Sequence, residues 1–121
     1  MIDILTGFPD RVFGCRLSGR LHRADYEKSI IPAVEAAFAK HETLRVYCEI
    51  DGGISVDAGA AWDDFKLGMS HYTRWERMAV VTDAEWLARA IRFASVLVPG
   101  EFRIFGLKDR NNAQKWIVEG L

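Results

Sequence analysis

The chain has 121 residues, of which 50% are hydrophobic and 27% are charged. This balance is typical of a globular protein and excludes a disordered or fibrous chain, and the length predicts a single domain over residues 1–121. Because 16 Lys and Arg residues against 17 Asp and Glu residues give a formal net charge of −1, no nucleic-acid partner is expected.

The chain begins with two predicted strands. Residues 2–6 and 11–18 cluster or alternate apolar side chains on either side of the turn sequence GFPD, which predicts an N-terminal hairpin. A helix is predicted from Asp25 to about His41, because its apolar residues recur at every third or fourth position. Pro32 removes an amide donor within this helix, so we expect a bend there.

The middle of the chain predicts a strand, a glycine turn and an aromatic helix. The sequence LRVYCEI, residues 44–50, is rich in strand formers and is soon followed by Gly52 and Gly53. The large apolar residues beyond this turn recur at helical spacing and predict one apolar helical face. They are Ala58, Trp62, Phe65, Met69 and Tyr72, with Trp75 just beyond them.

Two further pairs of strand and helix complete the pattern. MAVV, residues 78–81, predicts a short buried strand, and Thr82 to Glu85 has the form of a helix capping box. The helix that follows is expected to turn inward Trp86, Leu87, Ala90, Ile91 and Ala94. A last strand in EFRIFG and a helix capped by Asp109 then end an alternating order. This order predicts an α/β fold with a mostly parallel five-stranded sheet and four helices.

The cysteines and the apolar runs bear on the cellular compartment. Cys15 and Cys48 both lie in apolar alternating runs, where we expect reduced thiols that act as small core residues. No apolar run approaches the ~20 residues that are needed to cross a bilayer, and the opening MIDILTG does not resemble a signal peptide. We therefore expect a cytoplasmic protein whose membrane contact, if any, is peripheral and at the inner face.

Several segments, in this order and spacing, resemble the SpoIIAA-like family of small bacterial proteins. They are the Asp25-Tyr26 entry to the Pro32 helix, ERMAVVTDAEW at 76–86, EFRIFGL at 101–107 and AQKWI at 113–117. The family is similar in fold to the STAS domains of anti-sigma-factor antagonists and to the lipid-binding CRAL-TRIO proteins. The resemblance covers essentially the whole chain and implies βα turns that form a curved, superhelical sheet. It also implies a ligand pocket under mobile helices and contact with a membrane.

The motif that is phosphorylated in the STAS antagonists is missing from this sequence. In those proteins an Asp is followed two residues later by a Ser and then a Gly, at the start of a helix. Here Asp51 is followed by a glycine pair, and the nearby Ser55 precedes a valine. Acidic residues such as Asp57 would also repel a phosphate group at this position. Phosphorylation of Ser55 is therefore disfavoured.

No pattern of catalytic or metal-binding residues stands out elsewhere. His22, His41 and His71 are far apart and have no carboxylate or thiol partner at ligand spacing, so neither a zinc site nor a nucleophile and its base is predicted. Phosphate loops and dinucleotide-binding fingerprints do not occur. We therefore expect no catalytic residues, no metal and no cofactor, and a protein that is not an enzyme.

The aromatic stripe admits two interpretations, a plain core face or the lining of a small apolar cavity under a movable helix. The candidate ligand-binding residues are Trp62, Phe65, Met69, Tyr72 and Trp75, with Gly52 and Gly53 as the hinge. Lifting four such side chains into water would cost about 15 kcal/mol, which equals or exceeds the stability of a typical domain. The helix can therefore open only where another apolar surface replaces water.

Two functional hypotheses follow from this stripe. In the first, a non-enzymatic domain binds a lipid-like or other small apolar ligand, with transient association with a membrane surface. Arg74 and Arg77 would then meet an anionic headgroup, although both are equally explained as solubilising charges. In the second, the chain is a protein-interaction or regulatory module that docks a partner or forms a homodimer.

Overall fold

The computed structural model describes all residues, 1–121. Its strands are β1 (Ile2–Leu5), β2 (Val12–Leu17), β3 (Arg20–Leu21), β4 (Leu44–Ile50), β5 (Ser55–Val56), β6 (Trp75–Val81) and β7 (Glu101–Phe105). Its α-helices are α1 (Arg23–Asp25), α2 (Ile31–Lys40), α3 (Ala58–Ser70), α4 (Glu85–Ser95) and α5 (Arg110–Val118). A π-helical turn at Tyr26–Ile30 links α1 to α2, and a 3-10 turn at Leu107–Asp109 precedes α5.

Five strands form the main sheet, in the order β1-β2-β4-β6-β7. β1 pairs antiparallel with β2, and every other neighbouring pair is parallel. The predicted hairpin and the mostly parallel five-stranded sheet are therefore confirmed. β3 and β5 form a separate two-stranded sheet that was not predicted, because strands of two residues leave no periodic pattern in a sequence.

The helices are divided unequally between the two faces of the sheet. The connections from β2 through β4 and β6 to β7 all move in one direction across the sheet, so right-handed crossovers place α2, α3 and α4 on one face. The core on that face includes Val34 of α2, Leu67 of α3 and Leu44 of β4. α5 follows the last strand and packs Trp116 and Ile117 on the opposite face.

The bend expected at Pro32 takes the form of a widened helical turn. The amide of Ile31 donates to the carbonyl of Tyr26, which closes a π-helical turn directly before the proline. The backbone stays helical from this turn into α2, whose second residue is Pro32. Because a π turn loosens the regular bonding pattern, it relieves the clash that proline makes with the preceding turn. The chain therefore does not break into two separate helical pieces.

The capping box predicted between Thr82 and Glu85 is wrong. α4 begins at Glu85, and its N-cap residue is Ala84, which has no side chain to cap the helix. The Thr82 hydroxyl instead accepts a hydrogen bond from the Ala84 amide at 3.2 Å. The Asp83 carboxylate accepts one from the Leu107 amide at 3.1 Å. These side chains therefore shape the loop between β6 and α4 and tie it to the end of β7.

Both cysteines lie in the core, as the sequence predicts. Cys15 of β2 and Cys48 of β4 are register partners on neighbouring strands, and their sulfur atoms lie 3.2 Å apart. Both are free thiols. The bond to the Cys15 sulfur and burial together raise the pKa of the Cys48 thiol, so this pair is expected to be chemically inert in the folded chain.

None of the helices combines the length and the apolar character that crossing a membrane would require.

Candidate functional site

Helix α3 turns its aromatic stripe towards solvent. The exposed residues are Trp62, Phe65, Met69 and Tyr72, the last just beyond the end of the helix. The buried residues are Ala60, Asp63 and Leu67. At about 100° per residue, these two sets lie on roughly opposite sides of the helix. The expectation that the stripe is buried is therefore wrong, and the ligand-binding role of its residues stays a prediction.

The buried side of α3 combines Leu67 with small and charged residues. Gly59 lies against α1, because a Cβ at this position would lie 3.1 Å from Nε of Arg23. The buried Asp63 carboxylate pairs with Arg23 at 3.5 Å and with Lys66 at 3.7 Å. An unpaired buried carboxylate is costly, and these two contacts offset part of that cost, although Oδ2 of Asp63 has no hydrogen-bond partner. Periodicity identifies an apolar side of a helix but does not say which side the sheet will cover.

Trp75 does not belong to this exposed stripe. It lies at the start of β6 and is only 6% exposed. Its indole Nε1 donates a hydrogen bond to the carbonyl of Gly68 at 3.1 Å, and its ring meets the Phe38 ring edge-on, with the centroids 5.0 Å apart. Trp75 therefore anchors the last turn of α3 to the sheet and to α2.

Arg74 caps the C-terminus of α2. Its guanidinium donates to the carbonyl oxygens of Phe38 and His41, both at 2.8 Å, and to that of Glu42 at 2.7 Å. It also lies over the Phe38 ring, 4.5 Å from the centroid. Unpaired carbonyls at a helix C-terminus attract a cation, so this side chain is committed to capping α2. Contact of Arg74 with an anionic headgroup stays a prediction.

Arg77 lies on the opposite face of the sheet, against α5. Its guanidinium donates to the Trp116 carbonyl at 2.9 Å and lies 5.0 Å from the centre of the Trp116 indole. Glu101 and Glu119 pair with it at 3.7 and 3.6 Å. Arg74 lies in the turn just before β6 and Arg77 lies within β6. Although they are only three positions apart in sequence, they contact different helices and form no common anion site.

The glycine pair is separated from α3 by an anchored segment. Gly52 and Gly53 lie in an exposed turn, and a Cβ on either would meet nothing within 4 Å. The next residues form β5, where the amide of Ser55 donates to the carbonyl of Gly19 at 2.9 Å. The Asp57 amide likewise bonds the β3 segment. Any hinge motion at the glycines would therefore have to carry this small sheet with it, and the hinge role stays a prediction.

Helix α4 also presents apolar residues to solvent. Leu87 and Ile91 are half-buried as predicted, and Ala88 is buried. The inward orientation predicted for Trp86, Ala90 and Ala94 is wrong, because all three are exposed. The outward side of α4 and the turn after it carry Trp86, Phe93, Val96 and Leu97. Sequence reasoning missed Phe93, Val96 and Leu97, whose spacing places them away from the half-buried side.

α3 and α4 are successive crossovers on the same face of the sheet, and we take their exposed apolar residues together as the candidate site. We call this site the apolar surface. It comprises Trp62, Phe65, Met69, Tyr72, Trp86, Phe93, Val96 and Leu97. With roughly 200 Å² for each large side chain, the exposed fractions amount to about 900 Å².

The polar groups show no arrangement for metal chemistry. No group of three or more His, Cys, Asp or Glu side chains is placed to hold a metal ion. His71 is paired with Glu35 at 2.8 Å, and His22 contacts the Asp57 carboxylate. That carboxylate also binds Arg20 at 2.9 Å, and its contacts with His22 and Arg20 lower the pKa of Asp57.

Three helices on one sheet face, a single helix on the other and an N-terminal hairpin define a small α/β domain of the SpoIIAA-like fold. The model of the SpoIIAA-like family matches residues 12–118, and the chain belongs to this family. The family resemblance seen in the sequence is thus confirmed.

One solved structure extends this assignment over nearly the whole chain. It is the crystal structure of an uncharacterised protein of the DUF3478 family with a SpoIIAA-like fold, from Shewanella loihica PV-4. The two proteins are 31% identical and superpose with a TM-score of 0.71, and the match covers 97% of this chain and 92% of that chain. The comparison with curated proteins found no match.

Proposed function

We propose that the chain is a non-enzymatic interaction module that docks a protein through the apolar surface of α3 and α4, with a second copy of the chain as the partner. The observation that carries this proposal is that α3 and α4 both turn large apolar side chains towards solvent. A helix that needed its aromatic residues for its own core would turn them towards the sheet, as α5 does with Trp116.

The size of the apolar surface suits a protein partner. About 900 Å² is close to the ~800 Å² that each partner contributes to a standard protein interface. Trp, Tyr, Phe and Met are also the residue types that are enriched in interfaces. The charges on α3 and α4 are of both signs, with Lys66 on α3 and Glu85, Arg89 and Arg92 on α4. A mixed rim around an apolar centre is the usual anatomy of such a site.

Self-association tests this proposal directly. Sedimentation velocity over about 1 to 300 µM chain is expected to show a monomer that converts to a dimer. Phe65→Asp or Trp86→Asp should raise the dissociation constant at least about tenfold, because a charge would be buried in the interface. Leu121→Asp is the matched control, since Leu121 is exposed to a similar degree but lies at the C-terminus. A monomer at every concentration, or equal effects of all three variants, would contradict the proposal.

A lipid-like ligand or membrane surface is the second candidate, and it is supported by the end of α4. Phe93 and Val96 are 76% and 83% exposed, and Arg89 and Arg92 lie on the same helix. Protruding apolar side chains beside arginines are typical of helices that lie in a membrane interface. This arrangement would bring the chain to a membrane peripherally, through the outer side of α4 and not through a pocket under α3.

Cosedimentation with vesicles separates the two candidates. Vesicles of phosphatidylglycerol and phosphatidylcholine should retain the chain, and pure phosphatidylcholine should retain less of it, if the arginines contribute. Phe93→Glu should abolish binding, while Leu121→Glu should not. No retention by either kind of vesicle would remove this candidate and leave the protein interface as the function of the surface.

A further inference from the structure

The opposite face of the sheet carries an open cavity of about 350 Å³. α5 is the only helix on this face, and it packs mainly on β4, β6 and β7. No helix packs over β1 and most of β2. The cavity is lined by Leu5, Thr6, Gly7, Phe8, Arg16, Glu49 and Gln114. Its volume falls at the lower end of the ~300–1,000 Å³ that is usual for small-molecule sites.

Phe8 forms a fixed apolar wall of this cavity. Its ring packs against the Tyr47 ring, with the centroids 5.1 Å apart. Below it, Gly14 of β2 provides the room, because a Cβ at that position would lie 2.8 Å from two carbons of the Phe8 ring. The turn between β1 and β2 is thus drawn over the sheet, and Leu5 packs into the same cluster.

Glu49 is a buried carboxylate in the floor of the cavity. Its side chain is only 4% exposed. Oε1 is approached by Nε of Arg110 at 3.0 Å and by the guanidinium of Arg16 at 3.4 Å, and Oε2 accepts the Tyr47 hydroxyl at 3.0 Å. Burial raises the pKa of Tyr47 to about 12, so the phenol remains protonated and able to donate. The partners around Glu49 therefore already use both of its oxygens.

The positive charges exceed what Glu49 can neutralise. Arg16 and Arg110 share one carboxylate oxygen, and about half of each side chain remains exposed. A guanidinium has five N–H donors, so each arginine keeps several free. Asp3 is the register partner of Arg16 across the hairpin but forms no ion pair with it. Gln114 adds a side-chain amide to the wall of the cavity.

We infer that this cavity binds a small organic anion, with a carboxylate or phosphate group at Arg16 and a flat apolar body against Leu5 and Phe8. A guanidinium matches the paired oxygens of either group. Glu49, which accepts a hydrogen bond from the Tyr47 hydroxyl, holds the Arg16 guanidinium in position from below. The site lies on the face opposite the apolar surface, so it is independent of the proposed docking function.

Amide and side-chain NMR spectra of the full chain test this inference. Benzoate and phenyl phosphate are the two probes, and benzyl alcohol is their neutral analogue. We expect saturable shifts at Gly7, Phe8 and the Gln114 side chain with at least one of the anions, and at least about tenfold weaker binding of the alcohol. The stronger of the two anions identifies which group the site takes.

Variants show whether Arg16 carries the selectivity. Arg16→Gln should weaken binding of the anion about tenfold or more and leave that of the alcohol unchanged, while Arg16→Lys should have an intermediate effect because it keeps the charge without the planar donors. Arg20→Gln, which does not line the cavity, is the control. Equal affinity for the anions and the alcohol, shifts spread over the whole surface, or equal binding by Arg16→Gln would each overturn the inference.

Discussion

Truncating a side chain on the exposed side of α3 should change the free energy of unfolding much less than truncating one on its buried side. Phe65 is 50% exposed, whereas Leu67, two residues further on, is 8% exposed. Full burial of a large apolar side chain contributes about 1.5–3 kcal/mol, so Phe65→Ala removes roughly half of that. Alanine is the better helix former by about 0.5 kcal/mol, which reduces the net loss. Phe65→Ala is therefore expected to cost less than about 1 kcal/mol.

Leu67→Ala should cost several times more. Truncating a buried leucine removes its transfer free energy and leaves a cavity beside the core of α2 and β4, and such changes cost about 3 kcal/mol. Urea denaturation followed by circular dichroism measures both losses. Chain concentrations below the range of self-association are needed, because a dimer would add its own stability. The dependence of the unfolding free energy on urea concentration should be the same for the unsubstituted chain, Phe65→Ala and Leu67→Ala.

The reverse ranking of these two variants would refute the orientation of α3. If Phe65→Ala costs as much as Leu67→Ala, the aromatic stripe is buried in solution and the original core interpretation of the sequence holds. The proposed docking surface would then lose its main support. Gly68→Ala is a useful reference, since its Cβ would meet nothing within 4 Å and the change should stabilise the helix slightly.

The remaining predictions concern the core and one ion pair. Cys15 and Cys48 should resist a thiol reagent such as DTNB in native buffer and react at once in urea; fast native labelling would contradict their burial. Trp75→Phe should cost about 1 kcal/mol, because it removes a buried hydrogen bond and leaves a carbonyl unpaired; no change in the urea midpoint would exclude that bond. Burial alone would raise the pKa of Glu76, but the nearby guanidinium groups of Arg45 and Arg11 outweigh it and lower the pKa below its usual value. The Glu76 carboxylate therefore stabilises the folded chain at pH values above its pKa in the unfolded state. This stabilisation is lost as the pH falls through its lower pKa in the folded state. Glu76→Gln should flatten the acid limb of the stability profile, and an unchanged limb would rule out this contribution.

Three arginines near the starts of β4 and β6 bind the C-terminal ends of helices. Arg74 caps α2, and Arg77 binds the last turn of α5. Arg45, which is 6% exposed, donates to the carbonyls of Ile117 and Glu119 at 3.0 and 2.7 Å. Each guanidinium donates hydrogen bonds to carbonyl oxygens near a helix C-terminus, where these oxygens lack helical partners and the helix dipole is negative. In the sequence these residues look like ordinary surface charges, because nothing local marks the helix end that each one serves.

Local chemistry was sufficient to predict the framework of the chain. The β-branched run at 44–50 and the alternation at 11–18 are short-range patterns, and both segments are strands at nearly those bounds. The order of strands and helices then allows few topologies, since crossovers are right-handed. The core positions of α5 were also readable, because Trp116 and Ile117 are nearly the only large apolar residues of that helix.

Tertiary structure alone decided which sides of α3 and α4 face the sheet. Both helices carry more apolar residues than one buried side can hold, so the pattern is compatible with two orientations. In α3 the side that faces inward carries Asp63, whose carboxylate lies 3.5 Å from Arg23 of α1. The cavity at Arg16 was equally hidden, since it joins residues from the hairpin turn, three strands and α5 that only folding brings together. Periodicity is a property of one helix, whereas burial depends on the surface that the rest of the chain provides.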